Sequence, residues 1–250
     1  MKVIRCTTLE KFNRYISERS SFDTEQPLIE AVTGVFKGNE YTRIGTAFHK
    51  VIEGDYSGIE KVPPEVKIEL VGRKKEEVKI NLPASRKFDI DGYSVFLDVN
   101  QCRVAVEYGE SYPNAFHEIR LFQEMEGVMV TGCSDILNGK EIRDIKTKYS
   151  SPEDSDYIDS FQWRLYLELF GADIFHFDLF VFEGYQKDKH GYDVRGLPLT
   201  RYLPPITCYR YPKMEEDNHK LVRDFVEWAK FRGLYDSLPD FDGLNTLNEI

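Results

Sequence analysis

The sequence predicts an α/β domain: a central mixed sheet with helices on its faces, carrying a β-rich insertion. Three observations lead there. Residues 116–183 run strand, strand, strand, helix, strand, with a helix ahead of them. Residues 6–55 repeat apolar side chains at helical spacing. Residues 56–99 are broken by Pro63-Pro64 and Asp91-Gly92 and alternate with a period of two.

In order along the chain, Leu9, Phe12 and Ile16 mark a first helix, with Thr7 or Thr8 as its expected cap. Ile44, Phe48 and Val51/Ile52 mark another, which Gly54 is placed to end. Ser20 to Asn39 is polar and Gly-containing, and is expected to be partly irregular. The insertion holds the charge run Arg73-Lys74-Lys75-Glu76-Glu77, an alternating strand at 78–82, the Asp91-Gly92 turn and a strand at 93–97. Asn100 is the expected cap of a helix carrying Val104, Ala105 and Tyr108.

Strands are then expected at 118–124, 128–137 and 141–148. Ile158, Phe161, Leu165 and Leu169 form a stripe for one helix over 155–170, ending at Gly171. Residues 174–182 read as a buried strand. The tail adds a short strand at 207–211 and a helix at 213–231 with Leu221, Phe225 and Trp228 on one face. The expected organisation is a single domain over 1–250: a helical lead-in at 1–55, the insertion at 56–99, the core at 100–183, and a C-terminal strand and helix at 184–250.

With 250 residues, 41% hydrophobic and 14% aromatic, the chain has the apolar content for a packed core, which excludes a disordered polymer. A net charge of -10 excludes an all-over basic coat while leaving room for a local cationic groove or a site that gathers cations. No apolar run reaches the roughly 18 residues of a membrane helix. The longest, 165–182, is interrupted by Glu168, Asp173 and Asp178. The first residues show no apolar signal segment, so a cytoplasmic location and no membrane partner are expected. Cys6, Cys102, Cys133 and Cys208 are too dispersed for a metal knuckle or a disulfide framework and read as isolated reduced thiols.

The chemistry concentrates around Leu137-Asn138-Gly139-Lys140, a strong hairpin signature. With Asn138 and Gly139 as the turn, Leu137 faces Lys140, Asp135 faces Ile142 and Cys133 faces Asp144. Asp135, Asp144 and Lys146 then share one side of a regular hairpin. Two converging carboxylates repel unless a cation or proton lies between them. Hard oxygen ligands suit Mg²⁺ or Mn²⁺, which activate water and polarise phosphoryl oxygens. Asp-x-Lys alone is common on solvated strands, so the neighbouring motifs decide.

Those motifs are Gly132-Cys133-Ser134-Asp135 and Asp144-Ile145-Lys146-Thr147 on paired strands, Gln162-Trp163-Arg164-Leu165-Tyr166 on the following helix, Gly45-Thr46-Ala47-Phe48-His49 on an upstream helix, and Glu118 at a strand start. Together they resemble the PD-(D/E)XK nuclease superfamily, in particular the branch of RecB-type nuclease domains, CRISPR-associated RecB-like exonucleases and lambda exonuclease. The resemblance covers His49 and residues 116–183, and more loosely 6–55. It implies a restriction-endonuclease-like αβββαβ core. It implies that Asp135 and Asp144 bind metal with the Ile145 carbonyl, that Lys146 is the catalytic lysine, and that Gln162 and Tyr166 border the site and contact a DNA strand. His49 and, less regularly in the family, Glu118 would join the metal shell. Arg143, Lys148 and Arg164 are further candidates for phosphate contact, or for balancing the acidic run Glu153, Asp154, Asp156 and Asp159.

This sequence departs from the family in having Ser134 rather than proline before Asp135, and Asp144 rather than Glu. Some relatives bind an iron–sulfur cluster through an early cysteine and a late group of three. Only Cys208 is late here, so no cluster is expected. The implied activity is a Mg²⁺-dependent deoxyribonuclease, with Mn²⁺ able to substitute. It would be an exonuclease of recombination or repair, of phage-type origin, working on DNA and with a recombination or single-strand-annealing partner. Two other readings stay open: a silent nucleic-acid-binding module of the same fold, and a metal-dependent hydrolase of another phosphate ester. His49 as a core histidine, and Gln162 with Tyr166 as helix packing, are the plainer alternatives at those positions.

Overall fold

The computed structural model describes residues 1–242 apart from 19, 22, 35–37 and 72–75. The expected Arg73-Lys74-Lys75 run lies outside the described residues. The elements in chain order are β1 (Val3–Arg5), α1 (Cys6–Ser17), α2 (Glu25–Thr33), α3 (Glu40–Ile52), β2 (Glu60–Val62), β3 (Glu65–Val71), β4 (Glu76–Leu82), β5 (Ser85–Ile90), β6 (Tyr93–Asp98) and α4 (Val99–Glu110). They continue with β7 (Phe116–Met125), β8 (Val128–Asn138), β9 (Glu141–Lys148), α5 (Ser155–Ile158), α6 (Gln162–Leu169), β10 (Ile174–Phe182), α7 (Lys187–His190), β11 (Leu199–Arg201), β12 (Ile206–Tyr209) and α8 (Met214–Phe231).

A mixed seven-stranded sheet is flanked by helices, as an α/β reading requires. Strand β8 is its hub. Antiparallel β7 covers one edge of β8 from 128 to 137. The opposite edge is shared: parallel β1 takes 129–131 and antiparallel β9 takes 136–138. Beyond β9 comes β10, parallel to it over eight residue pairs. Such a parallel neighbour needs a crossover, here the α5–α6 segment. Strands β11 and β12 share the far edge of β10.

The reason β10 was legible is that it is buried on both faces, as central parallel strands are. Phe175, Phe177 and Leu179 join the core beneath α1, α6 and α8. Phe180 and Phe182 join the other core, beneath α3 and α4. Each such ring contributes about 1.5–3 kcal/mol on burial. The β5–β6 hairpin turns at Asp91 and Gly92, both at positive φ, as the dipeptide predicts. Its Phe88, Ile90, Val95 and Leu97 complete the second core, so this part of the insertion is integral to the fold.

Several local expectations are corrected. Thr7 and Thr8 do not cap α1. Strand β1 runs directly into the helix through Arg5, which makes no side-chain cap, and Thr8 is buried. Asn100 lies in the first turn of α4. The cap is Asp98, whose carboxylate takes the amides of Asn100 and Gln101 at 2.8 and 2.9 Å, while Gln101 returns a bond to the Asp98 amide. Residues 20–39 contain helix α2, seated by Leu28 and Val32. The single helix expected over 155–170 is two. Glu10 of α1 takes the Phe161 amide at 2.6 Å, Ser160 Oγ takes the Gln162 amide, and Trp163 bonds back to the Ile158 carbonyl. Those bonds compete with the helical ladder and restart it at Gln162.

Among the described residues, no helix is long and apolar enough to cross a membrane.

Candidate active site

The site grows out of a gap in the sheet. On the edge of β8 shared by β1 and β9, residues 132–135 have no strand partner. Their surroundings are held by side chains instead. Asp135 Oδ2 accepts the Ile145 amide of β9 at 2.6 Å, and the Tyr166 hydroxyl donates to the Cys133 carbonyl at 3.0 Å. Polar backbone that the sheet leaves open is thus satisfied by two residues of the expected motifs.

The hairpin register differs from the expected one. Asn138 pairs with Glu141 and Leu137 with Ile142, so the turn is Gly139-Lys140 with φ 63° at Gly139. Glycine at the first turn position is a type II′ feature. Lys140 is drawn into this turn because its carbonyl receives the Asp173 and Ile174 amides that start β10. The slip is even, so it leaves unchanged which residues share a face. Continued one step past Ile136↔Arg143, the observed register brings Asp135 level with Asp144.

Asp144 is 4% exposed. Its Oδ1 accepts Lys146 Nζ at 2.9 Å and Gln162 Nε2 at 3.0 Å. Its Oδ2 lies 2.9 Å from Lys146 Nζ but receives no hydrogen bond of acceptable geometry. Burial raises the pKa of this carboxyl. Lys146 offsets part of that rise and Asp135 adds to it. Lys146 itself is held charged by Asp144 and Asp135 against the cost of burial.

From the other side, α3 delivers His49. Gly45 lets it come close: a Cβ there would sit 3.1 Å from Thr147 Oγ1 on β9. His49 Nε2 bonds the Ile145 carbonyl at 3.0 Å, which leaves Nδ1 3.9 Å from Asp135 Oδ1. His49, Glu53 and Glu118 place one ligand atom each within 4.8 Å of one another. Glu118 stands opposite Asp135, at the one position where the β7–β8 ladder skips a pair, with φ 51°. Positive φ in a glutamate is uncommon and signals a locally imposed backbone. Although Glu118 reaches solvent, the cleft strips part of its hydration; that loss, then the charges of Asp135 and Glu53, raises its pKa to about 7. The Cys133 thiol donates to Glu118 at 3.4 Å.

The donor set fits a divalent cation. His49, Glu53 and Glu118 bring one ligand atom each within 4.8 Å of one another, Asp135 Oδ1 stands 3.9 Å from His49 Nδ1, and one oxygen of the buried Asp144 carboxylate lacks a hydrogen bond. The surrounding cleft, about 590 Å³, is lined by α3 from Tyr41 to Glu53 and by Glu118, Asp135, Ile145, Lys146 and Thr147.

Glu53 was missed in the sequence. Its signal was its spacing, four residues beyond His49 on one helix face. Gln162 and Tyr166 do border the site, but from inside. They are 8% and 5% exposed and hold Asp144 and β8, which leaves neither side chain free to reach a DNA strand. Of the two roles open to Arg143, the structure shows charge balance, though with a partner outside the acidic run. The guanidinium bonds buried Asp178 at 2.8 Å and lies over the Tyr112 ring. Arg164 stacks over Phe161, Trp163 and Tyr211, toward α8. Lys148 does remain at a groove, over the Tyr157 ring. All four cysteines are free thiols.

No protein-family model matches the chain, and no curated protein matches it. Solved structures similar to it include the following two. SSO0001 shares 14% identity over 91% of this chain and 76% of its own, with a TM-score of 0.43. A protein from Eubacterium rectale named "Putative exonuclease" shares 11% identity over 96% of this chain and 83% of its own, with a TM-score of 0.45.

Proposed function

We propose that this chain is a Mg²⁺-dependent deoxyribonuclease that hydrolyses DNA phosphodiesters, with Mn²⁺ able to replace Mg²⁺. Asp135, Asp144, His49, Glu53 and Glu118 would hold the metal. When bound, such an ion lowers the pKa of water and polarises a phosphoryl oxygen. The chain's own residues supply the rest. Lys146, 38% exposed, has Nζ on the carboxylate of Asp144 and open to the cleft, where it orients the attacking water or meets charge building on the phosphate. Gln162 holds Asp144 in place, and Tyr166 holds the backbone of β8 beside Asp135. Attack at phosphorus expels the 3′-oxygen and leaves a 5′-phosphate.

The observation that carries this reading is the buried Asp144 carboxylate: two donors hold one oxygen, and the other lacks a hydrogen bond and lies 2.9 Å from the Lys146 ammonium. A silent binding module would have no use for that arrangement, which costs stability. The open cleft accommodates a polymer backbone better than a closed small-molecule pocket would. Preference for exonuclease action, and for a role in recombination or repair, follows from the RecB-like motif resemblance.

The test is incubation with linear duplex, single-stranded and closed circular DNA in Mg²⁺, Mn²⁺ or EDTA. Loss of cleavage in EDTA and in Lys146→Ala, with circles spared, supports the exonuclease. Equal cleavage by wild type and Lys146→Ala overturns the site.

A further inference from the structure

Next to the acidic cleft lies a second groove of about 430 Å³, lined by Tyr41, Thr147, Lys148, Tyr149, Ser150, Tyr185 and Lys187. Tyr41 and Thr147 line both, so the two adjoin. Three tyrosine rings form its wall. Tyr41 and Tyr149 have centroids 4.8 Å apart, Tyr149 and Tyr185 4.6 Å, and Tyr41 and Tyr185 5.7 Å. Two of the rings are fixed from behind. Tyr149 donates to the Tyr41 carbonyl and stacks on Phe182, and Tyr185 donates to the Gly191 carbonyl. Tyr41, 39% exposed, is the outermost large aromatic of the cluster.

We propose that this groove is a subsite for single-stranded DNA, in which an unpaired base stacks on Tyr41 while Lys148 and Lys187 flank its backbone. The inference rests on the nuclease reading and adds the form of the substrate: a frayed or single-stranded end that runs from the tyrosines to the acidic cleft. Two features favour that form. Only an unpaired base can offer its face to a ring, and base–aromatic stacking tolerates any sequence. Two cationic side chains, Lys148 and Lys187, also line the groove together with the rings. Lys148 sits two residues beyond Lys146 on the same strand, and Lys187 is exposed at the start of α7, where Glu40 shares its charge at 3.2 Å. A phosphate arriving there can compete for Lys187, because that ion pair is solvent-exposed. The tyrosines are already assembled, so little ordering entropy opposes binding.

The experiment measures binding without chemistry. A fluorescein-labelled oligothymidylate is titrated with the full chain in EDTA and followed by anisotropy, alongside a labelled blunt duplex. Tyr41→Ala is expected to weaken oligothymidylate binding by about tenfold, the usual scale for one lost stacking partner. Tyr41→Trp is expected to restore it, and duplex binding is expected to move less than twofold. Wild-type binding of the oligothymidylate by Tyr41→Ala overturns the subsite, as does an equal loss on both probes. Because no cleavage is required, failure here leaves the nuclease reading intact when Lys146→Ala abolishes hydrolysis. A wild type that neither binds nor cleaves any of these DNAs overturns both.

Discussion

The side-chain amide of Gln162 donates to Asp144 Oδ1 at 3.0 Å, joining the first turn of α6 to the middle of β9. The bond exists because the helix restarts at Gln162 instead of running through from Ser155. Gln162→Leu keeps much of the volume and removes the donor. A hydrogen bond to a charged group is worth about 1.5–3 kcal/mol, so a fall in stability of that size is expected by urea denaturation. Cleavage is expected to drop by about 10–100-fold, as when a group that orients a metal ligand is lost. DNA binding in EDTA should stay at the wild-type value, since Gln162 is buried. A large loss of DNA affinity would instead make it a direct strand contact.

Gly132 faces the same motif. A Cβ there would lie 3.1 Å from two ring atoms of Tyr166 and 3.2 Å from Cys6 Sγ. Both neighbours are buried in the core and cannot swing away. Gly132→Ala therefore overpacks the interface between β8 and α6, at a cost of about 1–3 kcal/mol. Tyr166→Phe removes only the hydroxyl that bonds the Cys133 carbonyl and is expected to cost less, about 0.5–1.5 kcal/mol. Thermal melts that rank the two variants the other way would refute this packing account.

Asp178 is fully buried and accepts Arg143 at 2.8 Å, Arg201 at 2.5 Å and the Tyr108 hydroxyl at 2.9 Å. Removing the carboxylate strands two guanidinium groups behind the sheet. Asp178→Ala is expected to cost about 3–5 kcal/mol, the scale for breaking a buried ion pair from one side. Arg143→Ala is likewise expected to lower stability while leaving DNA affinity per folded molecule unchanged. A stable Arg143→Ala protein with weakened DNA binding would return Arg143 to the interface.

His219 on α8 bonds Glu126 through Nδ1 and Glu168 through Nε2, both at 3.0 Å. Desolvation pulls its pKa down, but the bonds and charges of Glu126 and Glu168 outweigh that and raise it above 6.5. A raised histidine contributes stability that is complete below 6.5 and disappears as pH rises through the folded value. Glu126 is held below its ordinary 4.5 by the bond to His219 and by Arg223, so its contribution is present above 4.5 and lost as pH falls through its own folded value. The stability gap between wild type and His219→Gln should thus be widest between about pH 4.5 and 6.5 and should close as pH rises through the raised folded value of His219. A gap independent of pH from 5 to 9 would remove the electrostatic explanation.

The parts of the molecule that were legible in the sequence are those governed by one dominant local force. Strand β10 has apolar side chains on both faces, and Asp91-Gly92 needs positive φ at both positions; either reads from a few residues. The errors fall where distant partners decide. Nothing between Ser155 and Phe170 announces that Glu10 will take the Phe161 amide and split the helix. Nothing near Asn138-Gly139 announces that β10 will anchor on the Lys140 carbonyl and move the turn. The proximity of Asp135, Asp144 and Lys146 survived that slip because side-chain alternation is insensitive to an even shift. The partner of Arg143 was not legible because Asp178 lies 35 residues away on the neighbouring strand. Glu53 was legible in principle from its helical spacing to His49, yet it carries no motif of its own.

The role proposed for Asp144 sets function against stability. Burial raises its pKa despite Lys146, so at neutral pH the folded protein carries a carboxylate charge it would be more stable without. A raised carboxyl binds its proton more tightly in the folded state, so the contribution of Asp144 to stability in EDTA should increase as pH falls through the folded pKa toward the ordinary value of 3.8. Asp144→Asn removes the charge and keeps the shape, while Lys146, 38% exposed, retains Asp135 as a countercharge. In EDTA at pH 7.5 the variant is expected to be more stable than wild type by on the order of 1–2 kcal/mol, and the difference should shrink on acidification. Divalent cation should invert the order. Mg²⁺ at a hundred times its dissociation constant adds about 2.7 kcal/mol to a protein that binds it only when folded, and the variant lacks a principal ligand. Paired thermal melts with EDTA and with Mg²⁺ read both signs in one experiment. A variant that is less stable in EDTA, or that gains as much from Mg²⁺ as wild type does, would show that the Asp144 carboxylate serves the fold and not a cation.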